Sequence, residues 1–144
     1  LRVHHEDAHR IRLDSLSGEF WVLDGHGGDA AAHFGAQELW KEFNGVIVEQ
    51  QTAYQSLLFC CNNSPVPSVC ELPSNEVLVQ GFKQVDQRLR AFVEANPEKS
   101  SGTTVVGAVA VRNKDGTYAL KLANCGDSRG LVVSGPDVGE GAGA

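Results

Sequence analysis

Asp24-Gly25-His26-Gly27-Gly28 is the run in this chain best suited to chemistry. An aspartate at the end of a strand offers carboxylate oxygens, and the glycine after it lets the backbone bring a carbonyl to the same ion. That is hard-oxygen coordination of the kind Mg²⁺ or Mn²⁺ takes. His26, with an ordinary pKa near neutrality, is a candidate proton donor beside it. Two further sets carry oxygen donors: the carboxylate pair Glu6-Asp7, and Asn124-Cys125-Gly126-Asp127-Ser128-Arg129. Each set has a plainer reading. The first is a tight strand-to-helix turn with a capping aspartate, the second a solvated loop pair, and the third a hairpin or bulge in which Asp127 pairs with Arg129. His4, His5, His9 and His33 lack the fixed short spacings of zinc ligands.

These groups need elements to position them. Residues 9–14 alternate, and Glu19-Phe20-Trp21-Val22-Leu23 reads as a second strand, joined to the first by a Ser15-Leu16-Ser17-Gly18 turn. Ala32, Ala36, Leu39, Trp40, Phe43 and Ile47 recur at helical spacing, so a helix runs from about Asp29 to Asn44-Gly45. Residues 50–73 lose periodicity and read as a long loop. Ser74 then caps a helix whose stripe is Leu78, Phe82, Val85, Leu89, Phe92 and Val93, ending at Asn96-Pro97. Residues 103–112 form a Val-rich strand, Asn113-Lys114-Asp115-Gly116 a hairpin turn, and Tyr118, Leu120 and Leu122 alternate on the next strand. Gly130-Leu131-Val132-Val133 reads as one more. Strands, then helices, then strands define an α+β domain with antiparallel sheets over residues 1–134, followed by a Gly/Ala-rich linker or frayed tail over 135–144.

Composition narrows the function classes. The 144 residues are 42% hydrophobic and 21% charged, enough for one packed domain. A net charge of −6 argues against a nucleic-acid or anionic-membrane surface and suits metal cations. The apolar run over 105–111 is far short of the roughly 20 residues a bilayer needs. Cys60, Cys61, Cys70 and Cys125 have neither disulfide-scaffold density nor paired zinc spacing. They read as free thiols of a reducing compartment, hence an intracellular, cytoplasmic protein. With no methionine in the chain, the sequence reads as a piece of a longer one.

Together, Arg2-Val3-His4-His5-Glu6-Asp7-Ala8-His9, Phe20 through Gly28, Ser101-Gly102-Thr103-Thr104 and Asn124 through Gly130 resemble, in order, four motifs of the type 2C metal-dependent protein serine/threonine phosphatases. The resemblance runs from Arg2 to about Val133. It implies a four-layer sandwich of two antiparallel sheets flanked by helix pairs, and hydrolysis of phosphoserine and phosphothreonine in phosphoprotein substrates. By the same resemblance Asp24 bridges two Mg²⁺ or Mn²⁺ ions and the Gly25 carbonyl binds one of them. Glu6 and Asp7 hold metal-bound waters, and Asp127 belongs to a further, weaker metal position. Arg2 grips the substrate phosphate and His26 protonates the leaving oxygen. Two ions about 3.5–4 Å apart activate a bridging water and stabilise attacking and leaving oxygens alike, and a guanidinium grips phosphate with two donors at once.

Past Gly135 the chain carries no further strand or helix signal and lacks the family's later aspartate motifs. It therefore reads as the N-terminal portion of the catalytic domain, incomplete and inactive alone. A homodimer or a complementing chain would cover the missing half. The alternative reading is a non-catalytic, phosphatase-like protein-binding module.

Overall fold

The computed structural model of the chain describes residues 5–13, 16–43 and 71–133. Strands β1 (Ala8–Leu13) and β2 (Ser17–Leu23) lead to a two-residue strand β3 (Gly25–His26) and to helix α1, helical over 30–43. Helix α2 (Asn75–Ala95), a 3₁₀ turn (Pro97–Lys99), β4 (Gly102–Thr103), β5 (Val105–Arg112) and β6 (Tyr118–Cys125) follow. The four long strands form one antiparallel sheet in the order β1-β2-β5-β6, and β3 pairs with β4. This is the expected α+β fold with antiparallel sheets.

Alternation along β2 sorts its side chains between the two faces of the sheet. Trp21 and Leu23 are buried, and so are Val109 and Val111 across on β5. Against them pack Ala32, Ala36, Leu39 and Phe43 of α1 and Leu78 and Val85 of α2, the stripes expected from helical spacing. Trp21 stacks on Phe43 with ring centroids 5.3 Å apart and meets Phe82 edge-on at 5.7 Å. Gly107 lies opposite Trp21 in the ladder, where a Cβ would overlap the indole. Glu19, 1% exposed, is buried with this core, and Arg12 and the Trp21 indole N–H serve its two carboxylate oxygens at 3.4 and 3.5 Å. Between the helices, Arg88 of α2 reaches Glu38 and Glu42 of α1 at 2.8 and 2.7 Å.

The opposite face of the sheet is apolar and uncovered among the described residues. Ile11 and Leu13 of β1, Phe20 and Val22 of β2, and Leu120 and Leu122 of β6 are all exposed.

Three expectations change. The single strand expected over 103–112 is divided at Thr104 into β4, which pairs with β3, and β5, which pairs with β2, because the Thr104 N–H turns to the Asp24 carbonyl between β2 and β3. Ser17 and Gly18 belong to β2 rather than to the turn, because they pair with Val111 and Ala110 of β5, and Arg112 N–H donates to the Leu16 carbonyl just before them. The segment Gly130 to Val133 is not a strand, and Leu131 is 89% exposed. Gly130 lies beside Val106 and Leu122, and the segment after it makes no ladder with β6 among the described residues. The expected 50–73 loop lies outside the described residues except for 71–73, which are irregular, and the expected 135–144 tail lies outside them entirely.

Candidate active site

Register gathers the chemistry at one end of the sheet. Ala8 stands opposite Leu23, Val22 opposite Val106, and Val105 opposite Cys125. The four strands therefore finish level. Glu6 and Asp7 lead into β1, Asp24 follows β2, Thr104 precedes β5, and Gly126 and Asp127 follow β6, all at that end. The β2–β5 ladder continues past it in the same register, with Gly25 opposite Thr103 and His26 opposite Gly102. At the junction the Thr104 N–H donates to the Asp24 carbonyl at 2.9 Å. Segments about a hundred residues apart in sequence thus meet around Asp24.

Close backbone approach fixes the individual positions. A Cβ at Gly25 would overlap the Glu6 carbonyl, so the first carboxylate segment lies directly against the glycine that follows Asp24. A Cβ at Gly102 would overlap the His26 ring, which rests on that glycine. Gly27 and Gly28, with φ of 72° and 130°, make the corner from strand to helix in a region that L side chains rarely adopt. The corner feeds α1, whose Ala31 N–H is accepted by the Ser101 hydroxyl at 3.0 Å, satisfying one of the donors a helix start leaves unpaired. Asp24 is therefore not a helix cap. Its carbonyl is held in the ladder and its carboxylate is exposed, as are the side chains of Asp7, His26 and Asp127, while Glu6 is half-buried.

Hydroxyl groups tie the Asp24 turn to the Asp127 turn. The Thr103 hydroxyl lies 3.2 Å from the Asp24 carbonyl, and the Thr104 hydroxyl is 2.5 Å from that of Ser128. Gly126 packs against Thr104, where a Cβ would come within 2.8 Å of the threonine β-carbon. Sequence reasoning named these residues as motif members without a task. The hydroxyl-rich run from Ser100 to Thr104 was the available signal, but its partners lie at separations of 24, 70 and 79 residues. No Asp127–Arg129 ion pair forms among the described residues, so the plainer reading of that turn as a local charge pair does not hold. Arg2 lies outside the described residues.

The donors Glu6, Asp7, Asp24, Asp127 and the Gly25 carbonyl are all oxygens, the set that Mg²⁺ and Mn²⁺ prefer. Among the described residues no three Asp, Glu, His or Cys side chains lie close enough to hold an ion between them. It is the donor chemistry, hard oxygens with no sulfur or nitrogen, that suits an ion of the magnesium type.

The model of the protein phosphatase 2C family matches residues 2–139. The chain is 36% identical over 137 residues to the human "Probable protein phosphatase 1N", covering 91% of this chain and 26% of that protein. It is 30% identical over 141 residues to human "Protein phosphatase 1A", covering 91% of this chain and 31% of the relative. A solved serine-threonine phosphatase 2C from Toxoplasma gondii is similar with a TM-score of 0.43 and 18% identity, over 88% of this chain and 46% of that one. The chain spans between a quarter and a third of the length of the relatives it matches. With motifs in order from the first strand to the last, and a family model spanning nearly all of it, this chain belongs to the protein phosphatase 2C family.

Proposed function

We propose that this chain carries part of the active site of a metal-dependent protein phosphatase acting on phosphoserine and phosphothreonine. The observation that supports it most is the level finish of the strands, which brings Glu6, Asp7, Asp24, Asp127 and His26 to one sheet end. Asp24 and the Gly25 carbonyl would hold Mg²⁺ or Mn²⁺ directly, Glu6 and Asp7 would accept hydrogen bonds from waters of the ion's shell, and Asp127 would serve a weaker position. When bound, the ions lower the pKa of a water and neutralise the phosphoryl oxygens. Arg2 would orient the phosphate through its paired N–H donors. His26, in its protonated form, would donate a proton to the departing seryl or threonyl oxygen, which leaves poorly as an alkoxide. The hydrogen bonds of Thr103 and Thr104 would keep the Asp24 turn from shifting as charge builds up.

The test is phosphate release from phosphoserine and phosphothreonine peptides by the full-length protein with Mn²⁺ or Mg²⁺. Release that is abolished by a chelator and restored by either ion is expected. An inactive metal-loaded protein would sink the reading.

A second reading has one observation in its favour. The apolar face formed by Ile11, Phe20, Val22, Leu120 and Leu122 is a surface that another layer must cover in water. A second sheet, as in the four-layer sandwich, a second copy of the chain or a complementing chain would each cover it. In a non-catalytic binding module, partner binding would survive Asp24→Ala and no metal would restore activity.

A further inference from the structure

We propose that the groove between the C-terminal half of α2 and the β3–β4 pair is a docking subsite for the substrate polypeptide, and that it takes a basic residue next to an apolar one. This rests on the phosphatase reading of the site, because His26 forms one wall of the groove. The groove is more open than enclosed, with a volume of about 490 Å³, a shape that suits a stretch of extended chain lying along it. Leu89 and Val93, one helical turn apart and half-buried, supply its apolar floor.

Asp86, Arg90 and Glu94 repeat every fourth residue along the same wall. Arg90 donates to Asp86 at 2.8 Å, so its charge is already matched. Glu94 makes no ion pair among the described residues and attracts Arg90 only from a distance. With His26 protonated as a proton donor the lining carries no net charge, but Glu94 is the groove carboxylate without an ion-pair partner among the described residues, at the C-terminal end of the helix wall. A lysine or arginine of the substrate can lay its aliphatic stem over Leu89 and Val93 and bring its charged end to Glu94.

The length suits a peptide. Asp86 to Glu94 spans about 12 Å of helix axis, which matches three to four residues of extended chain.

The experiment uses the full-length protein with Mn²⁺ and pairs of phosphothreonine peptides that differ only in carrying Lys or Glu at the positions flanking the phosphothreonine. p-Nitrophenyl phosphate serves as a probe too small to fill the groove. Wild type is expected to favour the basic peptide, with a preference that weakens as salt is raised. In Glu94→Lys the ratio of kcat/KM between basic and acidic peptides should fall about fivefold, through KM. Glu71→Lys makes the same charge change ahead of α2 and should keep the wild-type ratio. Turnover of all substrates with a ratio that Glu94→Lys leaves unaltered, or that Glu71→Lys alters equally, overturns the groove alone. No turnover of either the peptides or p-nitrophenyl phosphate overturns the phosphatase reading, and the groove with it.

Discussion

Gly102 is the residue on which the position of His26 depends, since the imidazole lies where any side chain at 102 would have to go. Gly102→Ala should displace the ring. Phosphopeptide turnover by this variant should fall toward that of His26→Ala, which should itself be about 10²–10⁴-fold below wild type for a general acid. The loss should be smaller on p-nitrophenyl phosphate, whose leaving group needs no proton, and an equal loss on both substrates would argue against a proton-donating role. Asp24→Asn keeps the carbonyl that Thr104 and Thr103 engage and removes only carboxylate charge. Its expected signature is a raised Mn²⁺ requirement with an unchanged melting temperature. At this scale the place of Asp24, Gly25 and His26 at the end of a strand was legible, because an apolar strand that runs into glycines marks its own end. The tasks of Thr103, Thr104 and Ser128 were not, because a hydroxyl in a loop says nothing of which distant carbonyl or hydroxyl it will meet.

The elements behave as local chemistry directs wherever their ends carry caps or turns. Helix α2 begins at Ser74, whose hydroxyl accepts the Val77 N–H at 3.3 Å, and ends at Asn96, both as its sequence predicts. Ser74→Ala should cost about 1 kcal/mol in urea unfolding. The β5–β6 turn is held by Asp115, whose carboxylate accepts from the Thr117 hydroxyl at 2.6 Å and the Thr117 N–H at 2.9 Å. The Thr117 hydroxyl, then the Thr117 backbone, hold the Asp115 carboxyl below its ordinary value of 3.8. A depressed carboxylate contributes stability that is complete above that value and lost as pH falls through the lower folded one. Asp115→Asn should therefore flatten the acid limb of hairpin stability below about pH 4, read by amide exchange at 113–118. The start of β2 and the segment Gly130 to Val133 could not be assigned from pattern, because whether alternating or apolar residues become strand depends on a partner edge. Ser17 and Gly18 find one in β5, whereas the segment from Gly130 finds none among the described residues.

At the scale of the molecule, two helices cover one face of a four-stranded sheet, and the aromatic cluster of Trp21, Phe43 and Phe82 locks the layers together. Trp21→Ala should destabilise the fold by about 3–5 kcal/mol in denaturant titration, because it empties the centre of that contact. The open face makes the opposite kind of prediction. In this 144-residue chain by itself, Phe20→Lys combined with Leu122→Lys should lower concentration-dependent self-association in sedimentation experiments without lowering the melting temperature, since neither side chain is in its buried layer. Among the described residues no helix is long and apolar enough to cross a membrane.

The sequence by itself determined which residues could do chemistry, both helices, the antiparallel hairpins and the family, because motif spacing, caps and hydrophobic period are local properties of a chain. Only the tertiary structure decided that Glu6, Asp24, Thr104 and Asp127 share one sheet end, that His26 rests on Gly102, and that one sheet face stays open. Those facts depend on strand register and on close approach between segments 79 residues apart and more, which no local pattern encodes.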